Sequence, residues 1–352
     1  MGYRFFVEGK NDRGSKTALP RTRSSTVKVT VPASSANLGA GFDVLSVALE
    51  APQIEVEFQS VDSGTRTIQV HGAYGDEVST DPNLNAAGKA LSAVSEKFGK
   101  PEGYVLRITV NIPPRKGLGL SGAEAVGAVY CADRVFRLGL RGQSLVQMAG
   151  RAEPSHHMDN VSASALGGFN IVSTTPLRSE QEITTIRPPN DLGVALLIPN
   201  IQKKSTEATR LLLPSTVPTL AHIQSMGYVA KVSAAFAMRD VKAILNALPW
   251  DEIVEPKRAD GEVYGKGIDS SFLRDEKKML LERFHVAETI SGAGPSRALW
   301  YSISDDHKHR RKNKTGLIQP AVAMVSDRLK SRGHDILEVF LTKPSAKGVN
   351  II

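Results

Sequence analysis

A glycine-rich turn between a predicted strand and a predicted helix constrains the fold of this chain more than any other feature. The segment from Ile112 to Tyr130 reads IPPRKGLGLSGAEAVGAVY. Its prolines end the strand, its glycines allow a sharp bend, and the residues from Ala123 to Phe136 are strong helix formers. The start of such a helix presents free backbone N–H groups and a partial positive charge, which favour phosphate. The turn therefore predicts either a phosphate loop or a purely structural strand-to-helix connection.

The spacing of Gly117, Gly119 and Gly122 also matches the dinucleotide fingerprint, so a dehydrogenase has to be considered. In that motif the first glycine directly follows the strand, and an acidic residue stands further along. Here residues 113–116 intervene, and the nearby acidic residue is Asp133, inside the predicted helix. We therefore reject the dinucleotide interpretation. A Walker loop is rejected as well, because no Gly-Lys-Ser/Thr ends the turn.

Two other loops carry small residues and polar groups suited to a binding site. The first, Val31–Leu49, reads VPASSANLGAGFDVLSVAL, and its Asn37 and Asp43 either face a ligand or cap their own backbone. The second, Ser291–Ser296, reads SGAGPS, and its simplest interpretation is a hairpin. The segment His156–Asn160 holds two adjacent histidines and an aspartate. Adjacent side chains point in different directions, so we expect no metal cluster built on both histidines.

Length and composition indicate a globular protein with room for two domains. The chain has 352 residues, of which 41% are hydrophobic and 23% are charged. No segment has the run of about 18–20 apolar residues that spans a bilayer, and the N-terminus lacks the apolar core of a signal peptide. We therefore expect a cytoplasmic protein that is not in a membrane. Cys131 is the only cysteine, which excludes an internal disulfide and a cysteine-based zinc site.

The net charge of +8 is concentrated in two segments. Residues 1–25 contain six basic and two acidic side chains, and residues 305–314 contain five basic and two acidic ones. These excesses of four and three account for seven of the eight charges, so the remaining body is near neutral. We interpret the segments as a flexible basic extension over residues 1–24 and a solvated loop over residues 305–314. Nucleic acid is not an expected partner.

Alternating strands and helices predict an α+β protein built from two-layer α/β units. The sequence Arg-Pro-Pro-Asn at residues 187–190 marks the predicted boundary between an N-terminal domain, residues 25–188, and a C-terminal domain, residues 189–352. The predicted strands are Thr26–Val31, Ile54–Phe58, Tyr104–Ile112, Gly167–Ser173, Val194–Ile198, Ala287–Ile290, Arg297–Ser302 and Ile336–Leu341. Helices are predicted up to Phe98, over Ala123–Phe136, over Ile318–Arg332, and in a long region from Thr219 to Leu248.

Taken together, these segments resemble the GHMP kinases, a family of small-molecule kinases. The family's first motif is similar to Val31–Asp43, its phosphate loop to Pro113–Ala123 and its third motif to Ser291–Ser296. The match runs in this order over nearly the whole chain after residue 25. The resemblance implies the GHMP kinase fold, with a ribosomal-protein-S5-like N-terminal ATP-binding domain and a ferredoxin-like C-terminal domain. It also implies phosphoryl transfer from ATP with Mg²⁺.

The substrate-side residues resemble the branch of this family that phosphorylates the hydroxyl of the amino acid homoserine, a step of threonine biosynthesis. The SANLGxGFD pattern of that branch stands at Ser35–Asp43, and its H-x-D-N pattern starts at His157. Its T-x-x-A-R pattern resembles Thr206–Pro214 with one shift, and its E-P-x-R pattern stands at Glu255–Arg258. A zwitterionic substrate needs guanidinium groups for its carboxylate and a carboxylate for its ammonium. The resemblance therefore implies the substrate-binding residues Asn37, Asp43, His157, Asn160, Arg210 and Arg258.

The resemblance also assigns the remaining roles. Asn160, Ser121 and Arg210 are the implied catalytic residues, and Ser121 and Glu153 the implied metal ligands. The ATP phosphates are expected on Pro113, Lys116, Gly117, Leu118, Gly119, Leu120, Ser121, Gly122 and Ala123. Whether the chain forms a homodimer is left open.

Two positions depart from the family pattern. The family loop reads G-L-G-S-S-A-A, and Leu120 stands here in place of the first serine. The family's magnesium-binding glutamate precedes the histidine by seven or eight residues, where this chain has Ala149 and Gly150. Glu153 is the nearest candidate. A GHMP kinase for another small alcohol such as mevalonate, and a catalytically inactive relative that binds a metabolite, therefore stay as alternatives.

Overall fold

Two β-sheets organise the part of the chain that the computed structural model describes, which is residues 26–153, 158–174, 181–202, 206–313 and 315–352. The strands are β1 (Thr26–Asn37), β2 (Gly41–Val61), β3 (Arg66–His71), β4 (Gly103–Val110), β5 (Phe169–Thr174), β6 (Gln181–Ile186), β7 (Leu192–Pro199), β8 (Ala287–Ile290), β9 (Arg297–Ser302), β10 (Ile336–Thr342) and β11 (Asn350–Ile351). The predicted basic extension and His157 lie outside the described residues.

Helices fill the intervals between these strands. They are α1 (Ala86–Phe98), α2 (Leu120–Phe136), α3 (Gln143–Gly150), α4 (Asp159–Leu166), α5 (Thr206–Arg210), α6 (Thr219–Met238), α7 (Val241–Ala247), α8 (Val254–Asp260), α9 (Ser270–Phe284), α10 (Ile303–Asn313) and α11 (Ile318–Lys330). Within the described ranges, no helix combines the length and the apolar character that crossing a membrane requires.

The first sheet is built on a long antiparallel ribbon of β1 and β2. Its strand order is β11-β1-β2-β4-β3, and β5 continues from β2 and pairs in turn with β6. The ribbon places Val29 opposite Val56 and Val27 opposite Phe58, so β-branched and aromatic side chains form cross-strand pairs. Helices α2 and α4 pack on this sheet and α1 packs on α2, and together they enclose a core that includes the buried Val126 and Val129.

The second sheet has the antiparallel order β10-β7-β9-β8. Its strand β7 is buried along its whole length, which explains its uninterrupted apolar sequence. Val194 and Leu196 join the core of the first sheet, whereas Ala195 and Leu197 join a second core beneath α9 and α11. The second sheet is therefore covered on both faces, and it packs directly against the first half of the chain.

The predicted α+β architecture built from two-layer α/β units is confirmed. The predicted ranges of β8 and β9 agree with the structure, and the helix predicted to end at Phe98 ends there, with Gly99 in the left-handed conformation. The helical region predicted over Thr219–Leu248 is two helices. It breaks at Arg239, which is left-handed, and Asp240 then caps α7 by accepting a hydrogen bond from the Ala243 N–H.

The basic segment at residues 305–314 was predicted to be a solvated loop, and this is wrong for its described part, which lies in α10. Acidic residues occupy the first turn and basic residues the last, and this order is stabilised by the helix dipole. Asp306 is buried, and its Oδ1 accepts hydrogen bonds from the N–H groups of Leu317 and Ile318 at 2.6 and 3.0 Å. The carboxylate thereby holds the start of α11, which a charge count does not reveal.

The predicted domain boundary at residue 188 falls between β6, a strand of the first sheet, and β7, the first strand of the second. The end of the chain returns to the first sheet, because β11 pairs with β1. The predicted C-terminal domain therefore contains one strand, β11, that pairs in the first sheet. As a unit of folding, the boundary stays a prediction.

An aromatic stack joins α6 to the first sheet and offers a test of this packing. The rings of Phe169 and Phe236 are parallel, with centroids 4.0 Å apart, and both side chains are fully buried. Replacing Phe236 with alanine should lower the free energy of unfolding by about 3–5 kcal/mol, because the cavity cannot fill. Denaturant unfolding measures the change. Met238→Ala, on the same helix but 74% exposed, should change it little, and equal effects would contradict the packing.

Candidate active site

A cavity of about 310 Å³ lies where the loops predicted to carry chemistry come together. Residues from the phosphate loop line one side of it, namely Pro113, Gly117, Leu118, Gly119, Leu120 and Ser121. The same cavity is lined by the predicted substrate residues Asn37, Asp43, Asn160, Arg210 and Arg258. Five of the six predicted substrate residues therefore meet at one place, and the sixth, His157, is outside the described residues.

Hydrogen bonds between the three loops fix the shape of this cavity. The Ser291 hydroxyl lies 2.8 Å from the carbonyl oxygen of Gly117, to which it donates, and 3.0 Å from the Ser35 hydroxyl. The Asn37 side-chain amide donates to the carbonyl oxygen of Gly292 at 2.6 Å. The segment Ser291–Ser296, whose simplest interpretation was a hairpin, thus connects the other two loops.

Two glycines of the phosphate loop are required by their surroundings. Both have positive φ values, 76° at Gly117 and 70° at Gly119, where other residues are strained. A Cβ atom on Gly117 would lie 2.1 Å from the carbonyl oxygen of Ser291, and one on Gly119 would lie 2.0 Å from the hydroxyl of Ser34. The loop therefore packs its backbone directly against its neighbours, and the first turn of α2 opens towards the cavity.

Two arginines and an aspartate converge on the other side of the cavity around the ring of Phe42. Arg210 donates to both carboxylate oxygens of Asp43, at 3.1 and 2.9 Å. The guanidinium carbons of Arg210 and Arg258 lie 5.4 and 4.9 Å from the centroid of the Phe42 ring. The negative face of an aromatic ring attracts such cations, so Phe42 helps to hold two like charges near each other.

Arg258 owes its position to the way α8 is anchored. Asp251 accepts hydrogen bonds from the backbone N–H groups of Val254 and Glu255 and so stabilises the start of the helix. The Glu255 carboxylate is paired with the ammonium of Lys277, which also donates to the carbonyl oxygen of Pro249 at 2.7 Å. Arg258 itself is only 3% exposed, and its Nε has no hydrogen-bond partner in the described part of the chain. Its guanidinium group can therefore accept an anion as a hydrogen-bond partner in the cavity.

Asn160 lies at the start of α4, between the two sides of the cavity. Its Oδ1 accepts a hydrogen bond from the Ser34 hydroxyl at 2.9 Å, and its backbone N–H donates to Asp159 at 2.7 Å. Burial raises the pKa of Asp159 to about 6, although the Asn160 N–H acts in the opposite direction. The amide of Asn160 is therefore oriented by its neighbours, with part of it facing the cavity.

Some predicted residues do not line the cavity. Lys116 donates to the carbonyl oxygens of Pro199 and Ile201, at 3.1 and 2.8 Å, and fastens the loop to the end of β7. Gly122 packs against α4, and Ala123 is fully buried. Asn37 lines the cavity, but its Oδ1 also accepts a hydrogen bond from the Asp43 N–H, so it caps its own loop as well.

Two acidic residues that the sequence analysis did not assign also line the cavity, Glu124 and Asp159. Glu124 is 4% exposed, and burial, followed by the nearby charge of Glu153, raises the pKa of its carboxyl to about 8. A sequence signal existed, since Glu124 is the only charged residue between Ser121 and Asp133 and lies three residues after Ser121. That spacing puts both on one helical face.

Comparisons with known proteins agree with this geometry. The family model described as the GHMP kinases N terminal domain matches residues 85–168, which include the phosphate loop and α4. A homoserine kinase from Thermoplasma acidophilum is 34% identical over 277 residues, covering 77% of this chain and 83% of that protein. A homoserine kinase from Methanococcus vannielii is 30% identical over 274 residues, covering 77% of this chain and 86% of that protein.

Solved structures show the same fold. The crystal structure of homoserine kinase from Cytophaga hutchinsonii covers 96% of this chain and 100% of its own, with a TM-score of 0.75 at 23% identity. Mevalonate diphosphate decarboxylase from Staphylococcus aureus covers 94% of this chain and 98% of its own, with a TM-score of 0.66 at 15% identity. With a glycine-rich loop beside a cavity in this fold, the chain is one of the GHMP kinases. Within that class, the chain belongs to the homoserine kinase family.

The buried Glu124 gives a pH-dependent test of the site. Its pKa rises from the ordinary 4.5 to about 8, so the folded protein binds more protons than the unfolded chain between those values. Stability due to this residue should therefore fall as pH increases through that window. As pH rises through this window, the free energy of unfolding of Glu124→Gln should increase relative to that of the original protein, by up to about 1.4 kcal/mol per pH unit. Thermal unfolding in EDTA between pH 5 and 9 measures this, and a pH-independent difference would contradict the assignment.

Proposed function

We propose that this chain transfers the γ-phosphoryl group of ATP to the side-chain hydroxyl of L-homoserine. One observation supports this most strongly. A glycine-rich loop at a helix start faces the same cavity as two guanidinium groups and a carboxylate, all three from separate parts of the chain. This arrangement suits a triphosphate on one side and a zwitterion on the other.

The charges suit an amino acid better than an uncharged alcohol. Arg258 has a buried Nε without a hydrogen-bond partner in the described chain, and a guanidinium binds a carboxylate in a fork. Arg210 contacts the same Phe42 ring as Arg258 and would share the carboxylate of the substrate. Asp43 would then accept the substrate's ammonium in the place where it now holds Arg210. The substrate would be bound through both of its charges.

The reaction would be an in-line displacement. The substrate hydroxyl oxygen forms a bond to the γ-phosphorus while the bond to the bridging oxygen of ADP breaks, and the hydroxyl proton is released. Such a transfer depends mainly on positioning and on neutralising charge. Backbone N–H groups at the start of α2 and the Ser121 hydroxyl would hold the phosphates. Asn160, oriented by Ser34 and Asp159, would align the attacking hydroxyl.

A divalent cation would suit this cavity, because its lining includes Ser121 and Glu153. The buried Oε1 of Glu124 has no hydrogen-bond partner among the described residues and lies in the same cavity. Oxygen donors of this kind suit Mg²⁺. When bound, Mg²⁺ would neutralise charge on the phosphate oxygens. We therefore propose ATP and Mg²⁺ as the donor and its metal.

A kinase acting on mevalonate is the second candidate, because mevalonate diphosphate decarboxylase shares the fold. Mevalonate carries a carboxylate for the arginines but no ammonium for Asp43. The inactive-relative alternative rests on Leu120, yet the backbone of the loop keeps its open turn despite this side chain. Both alternatives predict different results in one assay.

That assay measures ADP release coupled to NADH oxidation, with homoserine, threonine, mevalonate and shikimate offered in parallel. We expect ADP release with homoserine and at least about tenfold lower kcat/KM with each other alcohol, because none presents both charges and a primary hydroxyl in this arrangement. ADP release with mevalonate and not with homoserine would contradict the proposed substrate. Homoserine binding without turnover would instead indicate the inactive relative.

A further inference from the structure

Glu124 is an acidic residue buried beside the phosphate loop. Its carboxylate is buried, its Oε1 has no hydrogen-bond partner in the described residues, and it borders the cavity proposed for a triphosphate. Burial disfavours the ionised form of such a group, and a carboxylate beside phosphate groups would repel them. The ionised form therefore needs a positive charge as a partner.

The arginines that line the cavity are Arg115, Arg210 and Arg258, and none of them acts on the carboxyl of Glu124. Arg115 is exposed to solvent. Arg210 is paired with Asp43, and Arg258 contacts the Phe42 ring on the substrate side. Lys116 donates to carbonyl oxygens of the second sheet. On the phosphate side, the charge that acts on Glu124 is the negative one of Glu153. Glu124 and Glu153 thus lie near each other, and a cation bound in the cavity would supply Glu124 with a positive charge.

The helix geometry places an additional oxygen donor beside them. Ser121 and Glu124 lie three residues apart in α2, on one face, and both line the cavity together with Glu153. One hydroxyl and two carboxylates on the phosphate side form the type of incomplete shell that Mg²⁺ completes with phosphate oxygens and water.

We propose that Glu124 is a metal-binding residue, and that it joins Ser121 and Glu153 in holding the divalent cation bound with ATP. The inference rests on the proposed kinase function and deepens it. It also connects the two departures of this chain from the family pattern. Leu120 removes a hydroxyl from the loop, and Glu124, one helical turn further on, places a carboxylate on the same face of α2. The other proposed carboxylate ligand, Glu153, lies in the turn after α3.

The test compares nucleotide binding with and without a metal, in the absence of any alcohol substrate. AMP-PNP is titrated calorimetrically into the original protein, Glu124→Gln and the control Glu96→Gln, each with Mn²⁺ and with EDTA. Glu96 is an exposed residue of α1 outside the cavity, so its variant carries the same chemical change. The original protein and Glu96→Gln should bind AMP-PNP more tightly with Mn²⁺ than with EDTA.

Glu124→Gln should lose at least about tenfold of this Mn²⁺-dependent gain, while its binding in EDTA stays equal or becomes tighter. Glu124→Asp, which keeps the carboxylate, should retain part of the gain and serves if the glutamine variant does not fold. A full gain in Glu124→Gln would overturn the proposal and leave Glu124 as a buried protonated acid. No gain in the original protein would overturn it as well. Neither result depends on homoserine, so a wrong acceptor would be detected separately by the ADP assay.

Discussion

The hydrogen bonds that unite three loops distant in sequence are the contacts on which the rest of the site depends. Ser291 reaches the backbone of Gly117 and the hydroxyl of Ser35, and Asn37 reaches the carbonyl of Gly292. Because the loops approach so closely, the phosphate loop must bend at glycines, and the start of α2 opens to the cavity. The two halves of the chain are thereby joined at the site itself, as well as along the buried face of the second sheet.

Groups of both charges line this cavity. Arg210 and Arg258 lie around Phe42, and Glu124 and Glu153 line the same cavity. In the proposed function, the guanidinium groups would attract the substrate carboxylate, and the carboxylates would attract the cation that accompanies the polyphosphate.

Much of the fold follows from local patterns in the sequence. Short strands with clear ends, such as Ala287–Ile290 and Arg297–Ser302, were predicted at their observed bounds because glycine and polar residues flank them. The 21-residue strand β2 was predicted only in part, since its pairing with β1, β4 and β5 in turn is a tertiary effect. Helix α10 was missed because it lacks an apolar period and is held by the buried Asp306. At the site, motif order located most lining residues, but Glu124 was missed because it lies one residue beyond the segment matched to the phosphate loop, Pro113–Ala123.

We expect the cavity to recognise a zwitterion through both of its charges. Calorimetry of homoserine, 4-hydroxybutanoate and 3-aminopropan-1-ol measures this most directly, since the latter two lack the ammonium and the carboxylate respectively. The original protein should bind both analogues at least about tenfold more weakly than homoserine. Arg258→Ala should lose most of its preference for homoserine over 3-aminopropan-1-ol, while Lys257→Ala, an exposed neighbour on α8, should keep it. Equal binding of all three compounds, or an unchanged preference in Arg258→Ala, would contradict the claim.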